Sequence, residues 1–287
     1  MSALCQMTGL SRAGFYRLRA PRQATPVEME IRDQMQKIAV EFPAYGYRRI
    51  TAERQQRGLA VNHKRVLRMM HEDNLLCVWR RSFVVTTDSR HNLPTYPNLA
   101  REIKPVAINQ LWVADITYIR LQDEFVFLAV ILDACSRRVI GWALERTLED
   151  DLTLAALRMA LSQRTIQPGL VHHSDRGSQY ASQDYTDLLK AQGIQISMSR
   201  KANPWDNAAC ESFMKSLKYE EVLRNEYRDL GEARRSIVRF LEQVYNQKRL
   251  HSALGYCPPA EFEQALLARK QAAQTVRAGG HECTDLR

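Results

Sequence analysis

An aspartate stands in the middle of the most strand-like stretch of the chain. Residues 112–119, Trp-Val-Ala-Asp-Ile-Thr-Tyr-Ile, are rich in β-branched and aromatic side chains, which fit a pleated, half-buried surface. Asp115 breaks that run. Aspartate is depleted in strands, and an ionised carboxylate among such neighbours is costly unless it is paired or bound to metal. A chain that keeps one there is expected to use it.

Two further carboxylates occupy comparable places. Residues 170–174, Leu-Val-His-His-Ser, read as a short buried strand, and Gly177 as the turn after it. Asp175 then falls at the C-terminal end of a strand, the edge on which open α/β sheets place their chemistry. Pro204 stops whatever precedes it, and Asp206 or Asn207 can cap a helix running through Lys218. Glu211 lies in that helix, and Lys218, at i+7, shares its face. An acid and a base on one helical face are usually only a solvated salt-bridge stripe. What sets Glu211 apart is the company of Asp115 and Asp175. Hard divalent cations take carboxylate oxygens and leave places for water and phosphate oxygens. Two such ions about 3.5–4 Å apart can activate a nucleophile and stabilise the leaving oxygen of a phosphodiester.

The blocks 112–119, 173–180 and 206–218 resemble the catalytic core of insertion-sequence transposases in the retroviral-integrase superfamily. Between Asp175 and Glu211 lie 35 residues, the Asp-Asp-35-Glu spacing of that family, and Lys218 fits its pattern. Residues 245–262 are similar to its closing signature. The resemblance covers roughly residues 28–265, as judged from where these blocks start and stop. It implies a transposase whose metal ligands are Asp115, Asp175 and Glu211, with Mg²⁺ or Mn²⁺, expected as two ions. Water nicks a transposon end and the freed 3′ hydroxyl then attacks a second phosphodiester. Lys218 is expected to contact a phosphate near the scissile bond as a point charge. The resemblance further implies a homo-oligomer on paired transposon ends and target DNA, and fusion to an upstream-frame helix-turn-helix protein. A metal-dependent nuclease that cuts without joining, or a DNA-binding regulator with an idle core, are the rival readings. A strand-transfer assay separates all three.

Charge points the same way. Of the net +9 over 287 residues, residues 1–100 hold 16 Lys and Arg against 8 Asp and Glu, the remainder 25 against 24. A basic N-terminal part joined to a nearly neutral one suits a nucleic-acid-binding module ahead of an enzyme. A merely solvated basic surface is the alternative. No apolar run approaches the ~20 residues of a membrane span and no signal-peptide region is apparent, so a cytoplasmic, bacterial, nucleoid-associated protein without membrane contact is expected. The six cysteines form no C-x-x-C pair, which argues against a zinc module.

Residues 1–26 read as a short helical segment. In the 27–85 helix-turn-helix domain, apolar residues recur at helical spacing from Ile31 to Phe42, a second helix opens at 45–50, and Asn62 caps a third. In this third helix Val66, Leu67 and Met70 are expected inside. His63, Lys64, Arg65 and Arg68 are expected outside, with Lys64, Arg65 and Arg68 facing DNA. A bundle touching only phosphates, or protein, is the alternative. Residues 86–110, with Pro94, Pro97 and Pro105, read as a linker whose last part can lie against the core.

The core, 111–265, reads as strands at 112–121, 124–133 and 137–144, a helix over 152–164, the 170–174 strand, a helix capped by Ser182, a fifth strand at 194–199, and then the Glu211 helix. That order makes an α/β, ribonuclease-H-like mixed five-stranded sheet with flanking helices, behind a small all-α domain. A helix from about 231 to 248 closes it, Pro258-Pro259 ends an element, and 266–287 is expected to be a disordered tail. Asp133 is expected to accept hydrogen bonds from its own turn. Asp184 favours the start of a helix. His172 and His173 are expected to be structural, and Asn207 and Ser178 to serve capping and turn geometry.

Overall fold

The computed structural model describes residue 11 and residues 25–75, 94–200 and 204–279, with side chains omitted at 204–205 and 273–279. Most of the helical segment expected over 1–26 (Ser11, Thr25 and Pro26 apart), the first part of the linker and residues 280–287 lie outside the described residues. The chain divides into two compact units, residues 1–77 and 78–287.

Among the described residues the first unit is three helices. In α1 (Pro26–Glu41) Thr25 and Glu28 form a capping box and proline takes the first turn, where its missing N–H costs nothing. Helix α2 (Tyr47–Gln56) follows Gly46. In α3 (His63–Glu72) the Asn62 side chain accepts from the Lys64 N–H. Ile31, Met35, Ile38, Ile50, Val66, Met69 and Met70 are buried. Met69 fills an inward place, while Leu67 is only half-buried.

The second unit is built on a five-stranded sheet of order β3-β2-β1-β4-β5. The strands are β1 (Leu111–Arg120), β2 (Phe125–Asp133), β3 (Val139–Glu145), β4 (Val171–Ser174) and β5 (Gln195–Met198). The first three are antiparallel neighbours, whereas β1 pairs with β4, and β4 with β5, in parallel. This is the mixed ribonuclease-H-like sheet expected from the sequence. Helices α4 (Asp150–Gln163), α5 (Ser178–Ala181) and α6 (Gln183–Ala191) share one core with Trp112, Ala114, Ile131 and Ile140. Helices α7 (Ala208–Glu220) and α8 (Leu230–Arg239) share the other with Leu111, Val113, Ile119 and Val130. Alternating side chains of β1 thus feed the two cores in turn. Gly141 lets α4 approach closely: a Cβ there would lie 2.2 Å from the Ala156 carbonyl oxygen.

Several elements depart from the sequence expectation. Ser182 precedes α6 but does not cap it; its hydroxyl donates to the Gln179 carbonyl. The expected 231–248 helix ends as α-helix at Arg239 and continues as a π-helix, Phe240–Tyr245. Just beyond it Asn246 bonds both the N–H and the C=O of Val139, each at 3.0 Å, engaging an edge-strand backbone that would otherwise be open. Pro259 opens an element and ends none: α9 runs Pro259–Gly279. The expected disordered tail is therefore helical as far as Gly279, because residues 264–274, Gln-Ala-Leu-Leu-Ala-Arg-Lys-Gln-Ala-Ala-Gln, are strong helix formers behind a proline suited to a first turn. Buried Glu263 holds α9 through Ser136, Arg138 and Arg164 at 2.7–2.8 Å. The end of the linker does lie on this unit, with the Leu99 and Ala100 N–H groups donating to Ser197 Oγ.

Candidate active site

Parallel pairing brings the two aspartates together. In the β1–β4 ladder Leu111 stands opposite Val171 and Val113 opposite His173. Continued two residues past its last pair, that register sets Asp115 abreast of Asp175, on strands about 4.8 Å apart. The ladder stops there, so both carboxylates lie where the strands part. Asp175 Oδ1 accepts the Gly177 N–H at 2.9 Å, which shapes the turn out of β4. Asp115 Oδ1 accepts the Ile116 N–H at 2.9 Å.

Helix α7 brings the other two residues. Cys210, Phe213, Met214 and Leu217 anchor it in the core, in the same cluster as Leu111, Val113 and Ile119 of β1. Asp115 belongs to that odd-numbered alternation and so faces α7. Glu211 and Lys218 are half-buried. The Lys218 ammonium lies 5.1 Å from the centre of the Tyr118 ring.

Neither expected residue caps α7. Asp206 instead receives the Arg200 backbone N–H and guanidinium at 2.9–3.1 Å, and that contact pulls its carboxyl down to about 2. Asn207 takes the cap position without a capping bond. Its Nδ2 donates to the Ala114 carbonyl at 2.9 Å, a stitch between the start of α7 and the residue before Asp115. Among the described residues its buried Oδ1 has no hydrogen-bond partner.

The electrostatics tie the four residues into one group. Burial, and then the negative charge of Asp175, push the Asp115 carboxyl up to about 7; Glu211 adds to this, while the Ile116 N–H and Lys218 oppose it. Asp115 retains some solvent contact as a residue, but its carboxyl is enclosed by protein. Burial lowers the Lys218 ammonium against the favourable pull of Asp115. Behind the carboxylates, burial raises the Cys210 thiol and the Tyr180 hydroxyl well above their usual ranges.

The set offers only hard oxygen donors, and its mutual repulsion is of the kind a divalent cation relieves. The residues therefore fit such an ion in type. In position they are looser: among the described residues no three His, Cys, Asp or Glu side chains are gathered closely enough to hold one.

Other candidates have structural duties. His172 pairs with the Tyr185 hydroxyl at 3.0 Å, and His173 with the Ser197 and Ser199 hydroxyls at 2.8 and 3.0 Å. Burial lowers them to about 3 and about 4, so both are neutral. Asp133 accepts from the Asn109, Cys135 and Ser136 N–H groups, and Asp184 lies in the first turn of α6. In the helical unit Lys64 is exposed. Arg65 and Arg68 both lie 3.3 Å from buried Glu28, and Arg68 also meets Glu72. Sequence reasoning passed over Arg249, buried within the closing signature. It grips Glu220 of α7 through two nitrogens at 2.6–2.7 Å and Ser216 at 2.8 Å. It stands in a polar run beside Lys248, which gave no local signal that it is buried.

Residues 105–204 and 192–259 match two Integrase core domain families, and residues 26–83 match an HTH-like domain. The chain is 38% identical over 268 residues to an insertion element IS600 uncharacterized 31 kDa protein of Shigella sonnei, covering 91% of this chain and 97% of that one. It is 38% identical over 221 residues to the transposase for insertion sequence element IS904 of Lactococcus lactis, covering 77% and 87%. It is 32% identical over 274 residues to the transposase InsF for insertion sequence IS3A of Escherichia coli, covering 93% and 95%.

Proposed function

Because this chain belongs to the insertion-sequence transposases of the retroviral-integrase superfamily, we propose that Asp115, Asp175 and Glu211 are the carboxylates with which it cuts and joins DNA. The observation that carries the assignment is the coupling of Asp115 to Asp175, Glu211 and Lys218 where β1 and β4 part.

The three carboxylates would hold divalent metal, Mg²⁺ or Mn²⁺ and two ions in all, which supplies activation of the nucleophile and stabilisation of the leaving oxygen. The chain's own residues do the positioning. Asp115 and Asp175 present their oxygens from neighbouring strands, and Glu211 closes the site from α7. The Asn207–Ala114 bond holds the start of that helix against the aspartate strand. Lys218 supplies a positive charge to the DNA backbone beside the carboxylates. In the first step a water oxygen attacks the phosphorus at the transposon end and the 3′ oxygen leaves as a hydroxyl. In the second that 3′ oxygen attacks a target phosphorus, forming one P–O bond as another breaks. No covalent protein–DNA bond is required. Lys64 of the helical unit is proposed to meet DNA, with Arg65 and Arg68 beside it, and the protein to act as a multimer on paired ends.

The test is incubation with labelled element ends and Mg²⁺ or Mn²⁺. Asp115→Asn, Asp175→Asn and Glu211→Gln should each abolish nicking and joining while DNA binding persists. Lys218→Ala should depress joining, with much of it kept by Lys218→Arg. Appreciable cleavage by any of the three carboxylate variants removes that residue from the site, and nicks without joined products would mean a nuclease.

A further inference from the structure

A strip of rings and cations begins at Lys218 and runs away from the carboxylates. In the β1–β2 ladder Tyr118 stands opposite Phe127, and Arg120 opposite Phe125, so these four side chains share one side of the sheet, that of Ile116 and opposite to Asp115, and Lys218 reaches Tyr118 from α7. The Tyr118 and Phe125 rings meet at 5.6 Å and 75°. Lys218 lies 5.1 Å from the first ring and the Arg120 guanidinium 6.0 Å from the second. Phe125 is 50% exposed, and Arg120 is exposed. Beyond Val113 the β4 ladder has ended. A cross-strand aromatic pair stabilises a hairpin by itself and has no need of a cation on each outer side. Of the acids in the turn, Glu124 is taken up by Arg146 at 3.0 Å.

We propose that Tyr118 and Phe125 form a stacking platform for unpaired bases of the DNA strand leaving the carboxylate site, with Lys218 and Arg120 on its flanking phosphates. Its place beside the reaction rests on the function proposed above; its binding chemistry does not. Bases within a duplex lie parallel at about 3.4 Å. Two rings at 75° cannot receive neighbouring bases of such a stack. They suit bases that have swung out of it, and aromatic faces accept any base, while cations track the backbone. Continuity with Lys218 makes the occupant the strand being processed.

The experiment uses the full chain in EDTA. The probe is a single-stranded oligothymidine dodecamer carrying a central 2-aminopurine, with the same oligonucleotide in blunt duplex as control. The wild type should quench the single strand. Tyr118→Leu and Phe125→Leu, which keep apolar bulk and lose the ring, should each weaken single-strand binding about tenfold and leave duplex affinity unchanged. Melting curves matching the wild type show that the variants are folded, as expected for a half-exposed ring. Unchanged single-strand affinity, or an equal loss on the duplex, overturns the platform. Asp115→Asn should quench like the wild type. A platform that fails while the carboxylate variants abolish cleavage refutes this inference alone, and the reverse outcome refutes only the assignment of the carboxylates.

Discussion

Without a cation, buried Asp115 should make the protein less stable as the pH rises. Asp115 is pushed up to about 7 by burial and by Asp175, whereas the unfolded chain holds its aspartates near their ordinary value of about 3.9. The folded state therefore binds this proton more tightly than the unfolded state does. Stability is full below about pH 4 and declines as the pH passes through about 7. A single fully coupled group loses about 1.4 kcal/mol per pH unit, about 3 kcal/mol between pH 5 and 7. Residual solvent contact at Asp115 and the opposing charge of Lys218 reduce this to about 1–2 kcal/mol. Asp115→Asn removes the charge and keeps the shape. In EDTA it should be more stable than the wild type by about that amount at pH 8, with the two converging near pH 4. Urea unfolding followed by tryptophan fluorescence measures it, since Trp112 and Trp142 both belong to this unit. Added Mg²⁺ at pH 8 should stabilise the wild type and do much less for the variant. Identical pH slopes for the two proteins, or identical gains from Mg²⁺, would refute the reasoning.

Arg249→Met leaves half-buried Glu220 without its guanidinium and should cost about 2–3 kcal/mol in urea unfolding; a loss within 1 kcal/mol would mean that the ion pair does not seat α7. In the helical unit Arg65→Ala and Arg68→Ala should lower the melting temperature, because each removes a partner of buried Glu28. Lys64→Ala should leave melting unchanged but reduce the slope of log affinity against log salt by about 0.9, and the reverse pattern would exchange their roles. Gly141→Ala should destabilise severely or abolish folding, since its Cβ would meet the Ala156 carbonyl oxygen at 2.2 Å; near-wild-type melting would show that α4 can retreat.

What the sequence disclosed was what local chemistry encodes. Asp115 was visible because a carboxylate inside a run of β-branched and aromatic residues is anomalous on any account, and the sheet followed from strands and helices in order. What stayed hidden depends on partners far along the chain. Asn207 has the residue type and place of a cap, and only the fold brings the Ala114 carbonyl, 93 positions away, to its amide. Helical periodicity turns Arg65 and Arg68 outward, yet Glu28 on another helix meets them. The abreast placement of Asp115 and Asp175 is a matter of parallel register, which no short window of sequence carries. Pro258-Pro259 could be read either way, since proline both stops a helix and suits its first turn.

The Arg249 grip also sets an order of events. The β1–β2–β3 meander uses neighbouring segments and can close as these leave the ribosome, whereas β4 must find β1 across a helix and α7 needs Arg249, made later, for its ion pair. The group that seats it lies 29 positions beyond Glu220. A growing chain thus carries Asp115 in a formed sheet well before it can hold Glu211 in place. Until that arginine has been made, the enzyme is a sheet without a blade.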